Sequence, residues 1–227
     1  MRNRFCISVM GLVLSACGGD SGPSFGPESD PTPAQQSAIS STAQQLALIA
    51  NANAQGEAAA GAALDFAFTA QALIGPTAAA ITMPGVSGLG AQADGCEVIG
   101  PSSVVWNHCT SNGVTIDGMI SWSTGHVDVD IHAAGTSGTV TVDYSLTGSV
   151  TVSATAVQGD MTVSLDASNG SASYSQKVQT QIDVQIANGC ISSGTLTVTA
   201  TGSGNGTRTG AVQVIWSGCN MFRVRNG

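Results

Sequence analysis

An alternation of apolar and polar residues in the second half of the chain limits what this sequence can fold into. Every even-numbered residue from Val140 to Ala156 is apolar or glycine, whereas the odd-numbered residues are Ser or Thr, apart from Asp143. Successive side chains of a β-strand point to opposite faces, so such a segment has one apolar face and one polar face. The same period recurs through much of the chain after Cys96 and predicts a mainly β domain over residues 96–227.

Glycine-containing turn signals divide this domain into hairpins. Thr124-Gly125 is predicted to place Trp122 opposite Val127 and Ile120 opposite Val129. Further turns are predicted at 135–138, 158–159, 169–170, 188–189 and 204–206. They bring apolar residues opposite each other in these predicted pairs: Ile131 with Val142, Ala156 with Met161, Leu165 with Tyr174, and 195–201 with 210–217.

Two long segments leave the number of strands open. Residues 140–156 and 172–186 each fit one long strand, or two strands joined by a turn, because both arrangements keep the apolar side chains on one face. Gly194 is predicted to lie at a bulge. The pattern therefore predicts an antiparallel meander of about eight to ten strands, formed as a curved sheet or a sandwich.

An Ala-rich helical segment is predicted over residues 32–75. Thr32 can cap a helix whose first residue is Pro33, and Gln35 stands where a capping box requires Glu or Gln. Gly56 is predicted to stop or kink the helix. A sheet with one apolar face needs a second layer, so we expect this α+β chain to pack its helices on that face. Residues 76–95 form a connection without a period.

The N-terminus carries Arg2 and Arg4, an apolar run over residues 5–14, and then Leu14-Ser15-Ala16-Cys17. This tetrad resembles the lipobox of bacterial lipoproteins. The resemblance implies that residues 1–16 are a signal peptide, and that Cys17 carries diacylglycerol and becomes the first residue after cleavage. An ordinary signal peptide cut near Ala16 is the alternative.

The resemblance also implies a location for the mature chain. Gly18, rather than Asp, follows the cysteine, which favours the outer membrane over the inner one. Residues 17–31 are then the lipidated cysteine and a flexible tether, since Gly, Ser, Pro and Asp dominate this segment.

Charge excludes some partners. Removal of the leader takes away Arg2 and Arg4 and leaves four Lys and Arg against 14 Asp and Glu. Nucleic acids require a basic surface, so they are not expected as partners. The expected partners are the membrane, through the lipid anchor, and an envelope protein or hydrophobic ligand.

Four cysteines remain after the leader cysteine and Cys17 are set aside. An exported protein meets oxidising conditions, so disulfides are expected. Cys96 and Cys109 flank a predicted turn at 100–103, and Cys190 and Cys219 flank the last predicted hairpin. These two pairings are therefore favoured among the three possible.

One strand carries a candidate metal site. His126, Asp128, Asp130 and His132 occupy alternate positions and therefore share a face, and the predicted register puts Asp117 opposite His132. Imidazole and carboxylate groups are ligands for divalent metals. The alternative is a solvated polar face with an Asp117–His132 pair.

Signals for catalysis are weak. No G-x-S-x-G motif is present, and no glycine-rich phosphate loop joins a strand to a helix. We therefore expect a non-enzymatic structural or binding module of the cell envelope, without a cofactor other than the acyl chains on Cys17. The alternatives are a carrier of a lipid or other hydrophobic ligand, held between helices and sheet, and a metal-binding envelope protein.

Overall fold

The computed structural model describes residues 23–74, 95–111, 113–204 and 209–227. Helix α1 spans Pro33–Asn51 and helix α2 spans Gly56–Gln71, followed by a 3-10 turn over Ala72–Ile74. The predicted capping box is confirmed, because Thr32 and Gln35 each cap the backbone N–H of the other. Gly56 begins the second helix. The connection predicted at 76–95 lies almost entirely outside the described residues.

Within these ranges ten strands form one open antiparallel sheet in chain order, which confirms the mainly β meander. The strands are β1 Glu97–Ile99, β2 Ser103–Ser111, β3 Val114–Ser123, β4 His126–Ser137, β5 Val140–Val152, β6 Ala156–Ser168, β7 Ser173–Ala187, β8 Cys190–Gly204, β9 Gly210–Gly218 and β10 Met221–Asn226. The last strand was not predicted individually. Residues 140–152 and 173–187 are each a single long strand.

The registers of β3 with β4 and of β8 with β9 are as predicted. Trp122 pairs with Val127 across Thr124-Gly125. Leu196 on β8 pairs with Val214 on β9, within the predicted ranges. The predicted turn at Asn188-Gly189 is also present, because Ala187 pairs with Cys190.

Three central registers were predicted wrongly. Ile131 pairs with Leu146 rather than Val142, because β4 continues to Ser137 and the chain turns at 138–139. The next turn lies at 153–155 rather than 158–159, so Met161 pairs with Gly148. Tyr174 pairs with Ala167 rather than Leu165. Each error is an even number of residues, so every side chain keeps its predicted face.

Two glycines explain details of the long strands. Gly148 has φ 148°, and a Cβ there would lie 2.2 Å from the Asp160 carbonyl oxygen. Only glycine fits this close approach, so the residue marks tight strand pairing and not a turn. The bulge predicted at Gly194 lies two residues earlier in β8. Gly194 itself pairs with Val184, and the register shift leaves Ser192 as the extra residue.

Helices and strands contribute to one hydrophobic cluster. Phe66, Leu46 and Ile49 are fully buried within it. The rings of Phe68 and Tyr144 stack with their centroids 6.4 Å apart. The link between the helices also contacts the sheet, because the carbonyl oxygen of Asn53 accepts a hydrogen bond of 2.9 Å from the Gly125 amide.

The segment Gly26–Asp30, called here the N-terminal strap, lies along the free edge of β10. The Gly26 amide donates to the Asn226 carbonyl oxygen at 2.9 Å, and Ser29 and Val224 exchange backbone hydrogen bonds of 2.9 and 3.0 Å. A flexible tether was predicted over these residues, and for the strap that prediction is wrong. Its polar sequence lacks the period of a strand, yet it pairs with backbone groups that β10 leaves open.

Two ion pairs accompany the strap. Arg225 Nη2 lies 2.7 Å from Glu28 Oε1, and Arg223 contacts Asp30. Both pairs are exposed, so each contributes less than about 1 kcal/mol to stability. The ion pairs therefore add little stability, and the backbone hydrogen bonds are the main contacts that hold the strap on β10.

Both predicted disulfides are confirmed, Cys96–Cys109 and Cys190–Cys219. The first joins the residue before β1 to β2, and the second joins the start of β8 to the turn between β9 and β10. Each closes a loop and stabilises the fold by about 2–4 kcal/mol.

Candidate functional site: the polar face and the side pocket

The polar face of the sheet brings two histidines beside carboxylates along β4. His126 and Asp128 lie two residues apart, and His126 Nε2 is 3.0 Å from Asp128 Oδ1. His132 Nε2 is 3.0 Å from Oδ1 of Asp143 on β5. All four side chains are substantially exposed, so these are solvated pairs.

Asp117 pairs with a different histidine. The register places it opposite His132 as predicted, but its Oδ1 accepts the backbone N–H of His108 at 2.8 Å and lies 3.1 Å from His108 Nδ1. The predicted Asp117–His132 side-chain pair is therefore wrong. The cause lies in β2, where the register shifts between Trp106 and Cys109 and His108 adopts φ 54°.

The five candidate metal ligands do not come together as one set. His126 and Asp128 form one pair, His132 and Asp117 belong to two others, and Asp130 is exposed between them. Within the described ranges no group of three or more His, Cys, Asp or Glu is arranged to hold a metal ion.

Sequence reasoning missed His108 and Asp143 as members of this face. Asp143 breaks the Ser/Thr series of its strand, which is a visible signal. The predicted register places Asp143 opposite Asp130, whereas in the structure Asp143 lies opposite Ala134 and diagonally across from His132. The left-handed conformation of His108 leaves no comparable signal, because histidine in a strand pattern predicts extended backbone.

A cavity of about 270 Å³, called here the side pocket, lies between α1 and the ends of strands β8 to β10. Its walls include Ile39, Ile191, Trp216 and Phe222. The pocket is open to solvent, and none of the described residues that line it is charged. Its lining residues are Ile39, Ser40, Ala43, Gln44, Ala47, Gly189, Cys190, Ile191, Trp216, Asn220 and Phe222.

A second cavity of about 380 Å³ lies over the polar face of β6 to β8. Asp160, Gln179 and Gln181 line it together with Pro23 and threonines of β6, β7 and β8. This cavity is a polar recess in the surface, and it presents hydroxyl and amide groups.

One buried polar group lies on the other side of the sheet. The Tyr144 hydroxyl is buried and has no hydrogen-bond partner among the residues that the structure describes. Burial raises the pKa of Tyr144, so the phenol stays protonated. Since its hydroxyl does not reach solvent, Tyr144 is a core residue and not a candidate acid or base.

No family model, curated protein or solved structure matches this chain. In the described part of the chain, neither helix has the length and apolar content required to cross a membrane. Cys17 and the rest of the predicted lipobox lie outside the described residues.

Proposed function

We propose that this protein is a lipid-anchored, non-enzymatic structural or binding module of the bacterial cell envelope, located at the outer membrane. The lipobox-like tetrad ending at Cys17 supports the anchor. The observation that carries the proposal is the strap, because it pairs with the edge of the sheet only nine residues after Cys17 in sequence.

The strap limits how far the domain can lie from the membrane. Nine residue steps separate Cys17 from Gly26, and fully extended chain covers about 3.5 Å per residue. The β10 edge would then lie within about 30 Å of the lipid-bearing cysteine. An anchor that holds the domain this closely suits a module that works at the membrane surface.

In this proposal the helices cover the apolar face of a curved sheet and leave the polar face as the working surface. Glycines inside β3, β5 and β6 permit the curvature, because strands bend at such positions. Phe66, Leu46 and Ile49 are fully buried, which supports a filled interior and disfavours a chamber for a long-chain lipid. The carrier is therefore the weaker alternative, and the metal-binding function has no observation that favours it.

Replacement of single cysteines tests the anchor. Cys17→Ala should abolish incorporation of labelled palmitate and move the protein from the membrane fraction to the soluble envelope fraction. Cys6→Ala, within the leader, is the matched control and should leave both properties unchanged. Membrane retention of Cys17→Ala with a normal level of label would refute the proposal.

The binding role needs its own experiment. The protein should be purified from native membranes after chemical cross-linking, in parallel with a variant that carries arginine at two threonines of the polar face, Thr162 and Thr199. A cross-linked envelope protein that is lost in this variant would support the polar face as the working surface. Cross-links that persist unchanged would show that another surface is used.

A further inference from the structure

The side pocket has the shape and lining of a small-ligand site. On one wall α1 presents the short side chains of Ala43 and Ala47, and on the other the sheet presents Trp216 and Phe222. Trp216 is 4% exposed, so its ring belongs to the core and borders the pocket with one surface. A large side chain at Ala43 or Ala47 would fill the space that these alanines leave open.

The pocket walls are held in place independently of any ligand. Gly189 and Asn220 lie in the two turns at this end of the sheet, and the Cys190–Cys219 disulfide joins those turns. Ile39 and Ile191 are buried at the base. A cavity with fixed walls binds at a lower ordering cost than one that must form on binding.

The lining determines the charge and polarity of the ligand. An ionised group held against the apolar walls would lose part of its hydration and find no charged partner among the described lining residues, so we expect a neutral ligand. Gln44 and Asn220 supply amide donors and acceptors at the rim, where both are exposed. The Ser40 hydroxyl already donates to the Gln36 carbonyl oxygen at 2.9 Å. The ligand therefore needs an apolar body and one hydrogen-bonding end.

The volume determines the size of the ligand. About 270 Å³ corresponds to roughly nine water molecules at about 30 Å³ each. One aromatic ring or a short aliphatic chain fits this space, whereas a diacyl lipid does not.

We propose that the side pocket binds a small, uncharged molecule with a single-ring or short aliphatic body and one hydroxyl or carbonyl end. The Trp216 and Phe222 rings contact the body, and the Gln44 amide bonds the polar end. This site is separate from the polar face, and it stands whether or not Cys17 is acylated.

The test uses fluorine NMR of three probes with the full mature chain carrying Cys17→Ala, which avoids detergent. The probes are 4-fluorobenzyl alcohol, 4-fluorotoluene and 4-fluorobenzoate. We expect the alcohol to bind with a Kd of about 0.1–1 mM, as is usual for a ligand of this size. The benzoate should bind at least about tenfold more weakly, because its charge has no partner.

Variants of α1 locate the binding. Ala43→Leu and Ala47→Leu each fill the pocket and should weaken binding of the alcohol at least about tenfold, whereas Ala58→Leu on the exposed side of α2 should not change it. Gln44→Met should weaken the alcohol severalfold and leave 4-fluorotoluene unchanged.

Thermal unfolding of each variant separates loss of the site from loss of the fold. If Ala43→Leu does not fold, Ala47→Leu serves as the second pocket variant, since Ala47 is only half-buried. Wild-type affinity in a folded Ala47→Leu variant would overturn the proposal. The proposal would also be overturned if the benzoate bound as tightly as the alcohol, or if none of the three probes bound.

Discussion

The buried hydroxyl of Tyr144 allows a sharp test of the core. Tyr144→Phe removes a hydroxyl that has no partner in the described part of the chain and keeps the ring that stacks on Phe68 at 6.4 Å. A buried polar group without a hydrogen bond costs about 1–3 kcal/mol. We therefore expect the substitution to raise the free energy of unfolding by about 1–2 kcal/mol.

For a chain of this size that change corresponds to an increase in Tm of roughly 2–8 °C, at about 2–4 °C per kcal/mol. Urea unfolding followed by far-UV circular dichroism, with both disulfides intact, measures the change in the free energy of unfolding. The matched control is Tyr174→Phe. The Tyr174 hydroxyl donates to Gln176, which is itself buried, so its loss should lower the free energy of unfolding by about 1 kcal/mol.

The two substitutions should thus have opposite signs. If Tyr144→Phe instead destabilises the protein as much as Tyr174→Phe does, the Tyr144 hydroxyl has a partner. The core around β5 and α2 would then be packed differently from the structure.

Three further outcomes are expected. Gly148→Ala should lower the free energy of unfolding by about 2–4 kcal/mol, because its Cβ would lie 2.2 Å from a backbone oxygen. Gly138→Ala, which has open space around it, is the control and should lower this free energy by less than about 2 kcal/mol in urea titrations. Equal losses in the two variants would contradict the register of β5 and β6. Burial raises the pKa of Tyr144, so the folded protein holds the phenol proton more tightly than the unfolded chain does. The free energy of unfolding should therefore be unaffected by this group below about pH 10 and should fall above that pH, with a smaller fall in Tyr144→Phe. An identical fall in the two proteins would show that Tyr144 does not contribute to the pH dependence. Zinc, copper or calcium at about 1 mM should raise Tm by less than about 1 °C, because the described part of the chain offers no third ligand to the His126–Asp128 pair. A larger rise in Tm that is lost in His126→Ala would establish a metal site.

Much of the sheet could be predicted from the sequence because the period of two assigns each side chain to a face. Trp122, Leu146 and Trp216 are buried as their parity requires. Parity does not determine where a turn lies, since moving a strand by two or four residues keeps apolar side chains opposite each other. The central registers were wrong for this reason, and glycines inside strands were mistaken for turns.

The strap and the histidine pairs depend on contacts that no local pattern encodes. Residues 26–30 pair with the last strand, about 195 residues away in sequence. Their composition alone indicates a flexible tether. The groups with which they pair belong to the backbone of β10, so no pattern within residues 26–30 predicts the contact. Likewise, His108 reaches Asp117 only because β2 contains a bulge. The side pocket depends on where α1 lies against the sheet, which helix periodicity does not determine.

The most direct test of the proposed anchor is the intact mass of the protein extracted from bacterial membranes, measured before and after reduction. The expected mass is that of a chain that begins at Cys17 and carries a diacylglycerol group and an amide-linked acyl chain. It should increase by four hydrogens on reduction, two for each disulfide. A chain that begins at another residue, or that begins at Cys17 without lipid, would contradict the proposed anchor. A mass unchanged by reduction would contradict the disulfide-linked sheet.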